Sequence, residues 1–177
     1  MIDTTLKWPL LSGVPLERWV STSGKVLIMG DAAHPMLPYM SEGMILGAFV
    51  WCTIVFTSDF LIGAAMAVED GAALAEVLSC IESKDQLATA TRVFEKERIK
   101  RTSQMQQASA INGKLWHFAD GPEQEARDEA MRPEVDGRHF SESPNQWSDP
   151  VTANWCYGYD AEKEMARAWE QHVFFES

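Results

Sequence analysis

The stretch of sequence that decides the fold is Val26–Tyr39, which reads VLIMGDAAHPMLPY. Its first four residues are apolar, and Gly30 and Asp31 follow at once as a pair typical of a turn. The pattern therefore predicts a short buried strand over Val26–Met29 that ends at this turn. Ligands of open α/β sheets gather at the carboxyl ends of strands, where a carboxylate can accept hydrogen bonds from paired hydroxyl groups. The local sequence is also explained by a simple turn in which Asp31 is only a cap.

A second block, Gly63–Gly71, reads GAAMAVEDG. Together with Gly30–Tyr39 it resembles the second flavin-binding motif of FAD-dependent aromatic hydroxylases, in particular the salicylate-hydroxylase-like group of single-component monooxygenases. The resemblance implies an α/β chain that is the C-terminal part of the FAD-binding, glutathione-reductase-like fold. Such a chain is mostly helical after one buried strand and contains an incomplete Rossmann unit. The resemblance also implies FAD as cofactor, NAD(P)H as reductant, and O2 and a small aromatic compound as substrates of the intact enzyme.

The same resemblance assigns roles to individual residues. Asp31 would bind the ribityl chain of FAD, and the loop from Pro35 to Pro38 would pass the isoalloxazine ring and the substrate. The helix that opens at Ala64 would point its N-terminus at the pyrimidine end of the flavin, where free N–H groups and a partial positive charge favour the anionic reduced form. We predict no catalytic residue in this chain, because the flavin carries the chemistry. We predict no metal ligand, because the four histidines are widely spaced and show no i, i+4 pair of metal-ligand type. The predicted cofactor-binding residues are Gly30, Asp31, Pro35, Pro38, Gly43, Ala64 and Ala65.

Composition argues against several other classes of function. The formal net charge is −11 and no stripe of Lys and Arg occurs, which argues against binding to nucleic acid. The three cysteines, Cys52, Cys80 and Cys156, are scattered, so we expect neither a disulfide framework nor a Cys-x-x-Cys metal site. This cysteine usage fits a reducing compartment, and we expect a cytoplasmic protein.

The 177 residues suffice for one domain but contain no Gly-x-Gly-x-x-Gly. We therefore expect the chain to lack the N-terminal Rossmann half of the family and to be inactive by itself. A non-catalytic remnant of the enzyme is the alternative. The expected organisation is the end of a substrate-binding sheet region over residues 1–24, the C-terminal part of the FAD-binding domain over 25–118, and C-terminal helices with a tail over 119–177.

The segment Met44–Gly63 is unusually apolar, and only Asp59 among its twenty residues is charged. About 20 apolar residues span a bilayer, so the segment is a candidate transmembrane helix of a membrane-anchored protein. No Lys or Arg lies between Lys25 and Lys84, however, so the usual positive flank is missing.

The same segment interrupts the family string. Its removal joins Tyr39–Gly43 directly to Ala64–Gly71 and restores a continuous flavin-binding motif of the family that the chain resembles. The codons available to Gly43, to Ser58 and Asp59 and to Ile62 and Gly63 permit the donor, branch and acceptor signals of a short intron. We therefore hypothesise that Met44–Gly63 is a translated, unspliced intron.

Hydrophobic periodicity predicts a series of helices. In the second of these, Ala90, Val93, Phe94, Met105 and Ala108 mark one apolar face, whereas the charged residues from Glu95 to Arg101 are most simply a solvated face that includes an exposed Glu97–Arg101 pair. Asn112 and Gly113 are expected to end this helix. The predicted helices are Ala64–Ile81, Leu87–Asn112, Pro122–Met131 and Ala161–Phe174.

The segment between the last two helices is predicted to be a loop over residues 132–149. Within it, Ser143–Pro150 resembles a C-terminal string common in the same hydroxylase group. Asp160 is expected to cap the last helix, whose apolar face carries Met165, Ala168, Trp169 and His172. We expect these C-terminal segments to wrap the FAD-binding domain or to make a subunit contact.

The intron hypothesis predicts that most mature transcripts lack the codons for Met44–Gly63. Sequencing of transcripts across the junction between Gly43 and Ala64 measures this directly. Uniform retention of the segment in mature message would contradict the hypothesis.

Overall fold

The computed structural model of the protein describes residues 12–40 and 61–176, and most of it is helical. Most of Met44–Gly63, together with the predicted site residue Gly43, lies outside the described residues. Two short 3-10 helices occur at Gly30–Ala32 and Lys84–Gln86. The α-helices are α1 (Leu61–Ser79), α2 (Leu87–Trp116), α3 (Pro122–Val135), α4 (Pro150–Tyr157) and α5 (Ala161–Glu176).

The predicted buried strand over Val26–Met29 is wrong. Val20 and Leu27 form a single antiparallel bridge, flanked by backbone hydrogen bonds of 2.8 Å from Ser21 to Val26 and 3.0 Å from Ile28 to Trp19. A strand needs paired neighbours, and within residues 12–40 and 61–176 this bridge is the only β pairing. The apolar run is therefore one arm of a short hairpin, with 64% of Val26 exposed.

Three helices build the main core. Helices α1, α2 and α5 all pack against one another, and Trp19 from the hairpin joins them. The prediction of the apolar face of α2 is confirmed, since all five residues named for it are buried. Of the four residues named for α5, Met165 and Trp169 are buried, and Ala168 and His172 are partly exposed. The buried members of this core are Trp19, Ala33, Ala73, Val77, Ala90, Val93, Phe94, Ala161, Met165 and Trp169.

Helix α1 begins three residues before its predicted start at Ala64 and ends at Ser79 rather than Ile81. The residue before Ala64 is Gly63, which lies within the helix together with Leu61 and Ile62.

Helix α2 continues past Gly113, which was predicted to end it, and reaches Trp116. A Cβ at Gly113 would lie 2.6 Å from Cδ2 of Tyr39 and 2.8 Å from its Cε2. Glycine at this position therefore lets an aromatic ring lie directly on the helix backbone, which is a packing requirement and not a stop signal.

The segment predicted to be a loop over residues 132–149 begins inside α3, which runs to Val135. Helix α4 was not predicted, although Asp149 and Pro150 are strong signals for its start. The Asp149 carboxylate accepts a hydrogen bond of 2.8 Å from the Thr152 N–H, and proline favours the first helical position. Asp160 plays the predicted part for α5 and accepts 3.1 Å from the Lys163 N–H.

None of the helices over the described residues is long and apolar enough to cross a membrane. Residues 44–60 of the candidate span lie outside the range to which this statement applies.

Two glycine substitutions should have opposite effects on stability. Gly71 lies in the exposed middle of α1, and nothing lies within 4 Å of a Cβ added there, so Gly71→Ala should raise the free energy of unfolding by about 0.5–1 kcal/mol. Gly113→Ala should lower it by about 1–3 kcal/mol, because the added methyl overlaps the Tyr39 ring. Urea unfolding followed by circular dichroism measures both, and equal effects of the two substitutions would contradict the packing at Gly113.

Candidate functional site

The Gly30–Asp31 turn presents a carboxylate to solvent. Gly30 is buried and adopts φ +61°, and a Cβ there would lie 3.3 Å from Cβ of Ala67 on α1. Glycine is thus required by both the backbone conformation and the close helix. Asp31 follows in the 3-10 helix and is exposed, and no salt bridge or side-chain hydrogen bond joins its carboxylate to another described residue. Its oxygens are available to accept hydrogen bonds from a ligand.

Asp70 of α1 holds this turn from behind. One oxygen, Oδ2, accepts 2.8 Å from the Gly30 N–H and 2.7 Å from Nε2 of His34. The backbone N–H of His34 also donates to the Gly30 carbonyl at 2.9 Å. Both ends of the five-residue segment from Gly30 to His34 are therefore fixed to one buried carboxylate.

Asp70 belongs to a buried ion cluster, which we define as Glu69, Asp70, Arg98 and Arg101. Arg98 donates from Nε to Oδ1 of Asp70 at 2.7 Å and from Nη1 to Oε2 of Glu69 at 2.9 Å. Arg101 donates from Nη2 to Oε1 of Glu69 at 3.1 Å. Acidic side chains of α1 thus alternate with guanidinium groups of α2, and each buried charge has an opposite partner.

The protonation states of the cluster follow from these contacts. Burial alone raises the pKa of Asp70, but hydrogen bonds from His34 and Gly30 and the charge of Arg98 outweigh it, so the pKa lies below its usual value. Burial likewise lowers the pKa of Arg98, but Asp70 and Glu69 outweigh that effect and raise it. Asp70 is therefore an anionic acceptor, and the His34 imidazole carries a proton on Nε2.

The prediction of a solvated face on α2 is wrong for Arg98 and Arg101, which are 0% and 3% exposed. Arg101 pairs with Glu69 and not with Glu97. The two arginines lie at helical spacing between the buried Phe94 and Met105, so they share the apolar face of α2. That spacing, together with an adjacent acidic pair in the preceding helix, is the signal by which the sequence could have revealed the cluster.

Arg101 also attaches the C-terminal region. Its guanidinium lies between the rings of Trp155 and Tyr159, 4.5 Å and 4.2 Å from their centroids. It donates to the carbonyls of Trp155 at 3.3 Å and Cys156 at 2.8 Å, at the end of α4. A single buried arginine therefore joins α1, α2 and α4.

The loop that follows the turn lies along α2 and is held by three of its side chains. We call Gln106, Ser109 and Asn112 the polar row; all three are buried. Gln106 donates to the Pro35 carbonyl at 2.9 Å, Asn112 donates to the Tyr39 carbonyl at 2.9 Å, and the Ser109 hydroxyl donates to Leu37. The polar row was not predicted, and its spacing of three residues is the only sequence signal for it.

The predicted site residues are only partly brought together. Gly30, Asp31, Pro35 and Pro38 form one continuous segment that lies across α1 and α2. Ala65 is an exposed residue after the first turn of α1, and the backbone of Ala64 is helical. No group of three or more acidic, His or Cys side chains within the described ranges could hold a metal ion.

No family model matches the chain. It is 32% identical over 160 residues to the FAD-dependent monooxygenase OpS4 of Beauveria bassiana. The matched region is 90% of this chain and 32% of that protein. It is 28% identical to the FAD-dependent monooxygenase notI of an Aspergillus species, covering 96% of the chain and 30% of the relative. The 6-hydroxynicotinate 3-monooxygenase of Bordetella bronchiseptica is 29% identical over 89% of the chain and 27% of its own length. The chain thus spans about a third of the length of these relatives.

The geometry predicts a large effect of Asp70→Asn. The change removes the fully buried one of the two carboxylates that pair with Arg98, and it should lower the free energy of unfolding at pH 7 by about 3–5 kcal/mol in urea titrations. The exposed control Asp85→Asn should stay within about 0.5 kcal/mol of the wild type.

The same contacts predict a pH dependence. Because the folded pKa of Asp70 is depressed, its stabilising contribution is present above the unfolded value of 3.8 and is lost as pH falls through the lower folded pKa. The Asp70→Asn chain should lack this acidic component of the stability profile. An Asp70→Asn profile with the same acidic slope as the wild type would contradict the assigned charge state.

Proposed function

We propose, on the premise that this chain is homologous to the FAD-dependent monooxygenases, that it forms the ribityl and isoalloxazine side of the FAD site in such an enzyme. The names of its relatives confirm the resemblance predicted from Gly30–Tyr39 and FAD as the cofactor of the family. Hydroxylation of a small aromatic substrate with NAD(P)H and O2 is the reaction that we propose for the complete protein.

The observation that carries the proposal is the exposed Asp31 carboxylate on a turn that is fixed from behind. The turn is anchored to buried Asp70 through Gly30 and His34, so Asp31 itself takes no part in holding the fold. An acceptor that is rigidly placed and left free for a partner is the arrangement that a polyhydroxyl chain requires. The ribityl chain of FAD supplies hydroxyl donors of this kind.

The neighbouring residues fit the remainder of the flavin. Pro35 and Pro38 give the loop a backbone with few N–H groups and restricted dihedral angles, suited to lie beside a flat ring. Its carbonyls at Pro35, Leu37 and Tyr39 are already paired with α2, so the segment keeps its shape without a ligand. When bound, FAD supplies the redox chemistry, whereas the residues of this chain bind it, orient it and exclude water.

The role proposed for the helix N-terminus depends on Met44–Gly63. In the chain as given, Leu61, Ile62 and Gly63 are helical and precede Ala64, so Ala64 and Ala65 do not lie at the start of α1. In a chain without that segment, Ala64 would follow Gly43, and the first turn would fall on Ala64 and Ala65. We therefore propose the pyrimidine contact of Ala64 and Ala65 for the uninterrupted chain.

The proposal is tested by flavin binding in the full-length flavoprotein that contains this segment. Asp31→Ala should raise the Kd for FAD about tenfold to a hundredfold, because it removes charge-assisted hydrogen bonds worth roughly 1.5–3 kcal/mol. Asp31→Asn retains one acceptor oxygen and should have a smaller effect. Fluorescence titration of FAD measures both, and an unchanged Kd in Asp31→Ala would refute the assigned role.

A further inference from the structure

The polar row of α2 contacts the loop in a fixed register. Its members are three residues apart on the helix, and the carbonyls that they bind, those of Pro35, Leu37 and Tyr39, are two residues apart on the loop. All three carbonyls face α2, because each accepts a hydrogen bond from a side chain of that helix. A shift of the loop by one residue would turn these carbonyls away and break all three bonds. The row therefore determines which loop atoms face away from the helix.

Asn112 differs from the other two members because both halves of its amide are in use. Its Nδ2 donates to the Tyr39 carbonyl at 2.9 Å, and its Oδ1 accepts 3.0 Å from the backbone N–H of Gln146. The side chain is 0% exposed. One buried amide thus joins the loop after the Gly30–Asp31 turn to a segment more than one hundred positions later in the chain.

The partner segment is itself well ordered by local hydrogen bonds. The Ser143 N–H donates to Oδ1 of Asp149 at 3.1 Å, and the other oxygen of Asp149 caps α4. Trp147 of this segment packs edge-on against Trp116 at 4.3 Å between ring centroids, and Trp116 in turn contacts Tyr39 at 6.3 Å. The Asn112 side chain and the contacting rings of Tyr39, Trp116 and Trp147 therefore join the same two segments.

We propose that Asn112 is a positioning residue that sets the register of Pro35–Tyr39 and couples it to the segment Ser143–Asp149. The coupling follows from contacts within this chain, whereas its functional meaning rests on the proposed function, in which Pro35–Pro38 passes the flavin ring. On this premise, the segment Ser143–Asp149 helps to position the loop Pro35–Pro38 beside the flavin ring.

The coupling is tested by amide hydrogen exchange, measured by NMR on the full 177-residue chain. The reporters are the N–H of Gln146, which donates to Asn112, and the N–H of Tyr39, which donates to the Ser109 hydroxyl at 3.3 Å. Asn112→Leu removes both halves of the bridge, so both reporters should exchange about two- to tenfold faster. Asn112→Asp keeps the acceptor for Gln146 but cannot donate to Tyr39, so only the Tyr39 reporter should change.

The matched controls are Gln107→Leu and Gln107→Asp. Gln107 is an exposed residue of α2 next to Gln106, and neither substitution should alter either reporter. Rates are compared with that of the Phe94 amide in the core, which reports global opening. If an Asn112 variant does not fold, Ser109→Ala serves instead, because it loosens the loop without touching Gln146. It should accelerate exchange at Tyr39 directly and at Gln146 through Asn112. An unchanged Tyr39 rate in a folded Asn112→Asp chain, or an unchanged Gln146 rate in Ser109→Ala, would overturn the coupling.

The flavin-loaded full-length protein separates this inference from the proposed function. Asn112→Asp should shift the visible absorption of bound FAD, because the loop beside the ring moves, while the Kd for FAD stays within about twofold, because Asp31 and its anchor are untouched. An unchanged spectrum together with altered Tyr39 exchange would overturn the contact of the loop with the ring and leave the coupling intact. A large loss of FAD affinity would overturn the inference that Asn112 positions the loop without affecting the Asp31 turn.

Discussion

The structure depends on one buried carboxylate. Asp70 receives a backbone N–H from Gly30, an imidazole N–H from His34 and a guanidinium N–H from Arg98, and it is fully shielded from solvent. An isolated charge buried in this way would cost a large free energy of desolvation. The charge of Asp70 is tolerated because its two oxygens accept hydrogen bonds from these three donors. The same set of bonds aligns α1 with α2 and fixes the turn that carries Asp31. Helix packing and site geometry therefore have a common origin.

A second constraint explains why polar side chains occur on the buried faces of α1 and α2. Residues 12–40 contain almost no regular secondary structure, yet several of them, such as Trp19 and Gly30, are buried, and buried N–H and C=O groups must find partners. The helices supply these partners from their side chains. Glu95 accepts from the N–H groups of Trp19 and Val20, Asp70 accepts from Gly30, and the polar row binds the carbonyls of the following loop. The irregular segment is thus held in a definite shape by α1 and α2, much as a strand is held by its neighbours.

Local pattern predicted four of the five α-helices over the described residues and the apolar face of α2, because hydrophobic periodicity is a property of consecutive residues. The buried face of α2 from Ala90 to Ala108 and the capped start of α5 at Asp160 are examples. Properties that depend on distant partners were not predictable in this way. Arg98 and Arg101 have the composition of a solvated face, and only the acidic pair Glu69 and Asp70 on another helix makes their burial possible. Gly113 has the form of a helix end, and only the Tyr39 ring from the loop shows that it is a packing position.

In the candidate site, too, local sequence patterns were predictable and contacts between distant residues were not. Gly30 and Asp31 were identified from the resemblance of a contiguous string, and Asp70 belongs to the second block of that resemblance, but neither block revealed that Asp70 binds Gly30 and His34. The predicted strand over Val26–Met29 failed because strand formation requires partners that a single apolar run does not specify.

The most direct test of the account is a structure of the flavin-loaded full-length protein that contains this chain. The account predicts that the Asp31 carboxylate lies at hydrogen-bond distance, about 2.5–3.0 Å, from hydroxyl oxygens of the ribityl chain. It also predicts that the Gly30–His34 turn is still bonded to Asp70. A flavin bound away from Asp31, or a turn that has left Asp70 in order to bind it, would contradict the account.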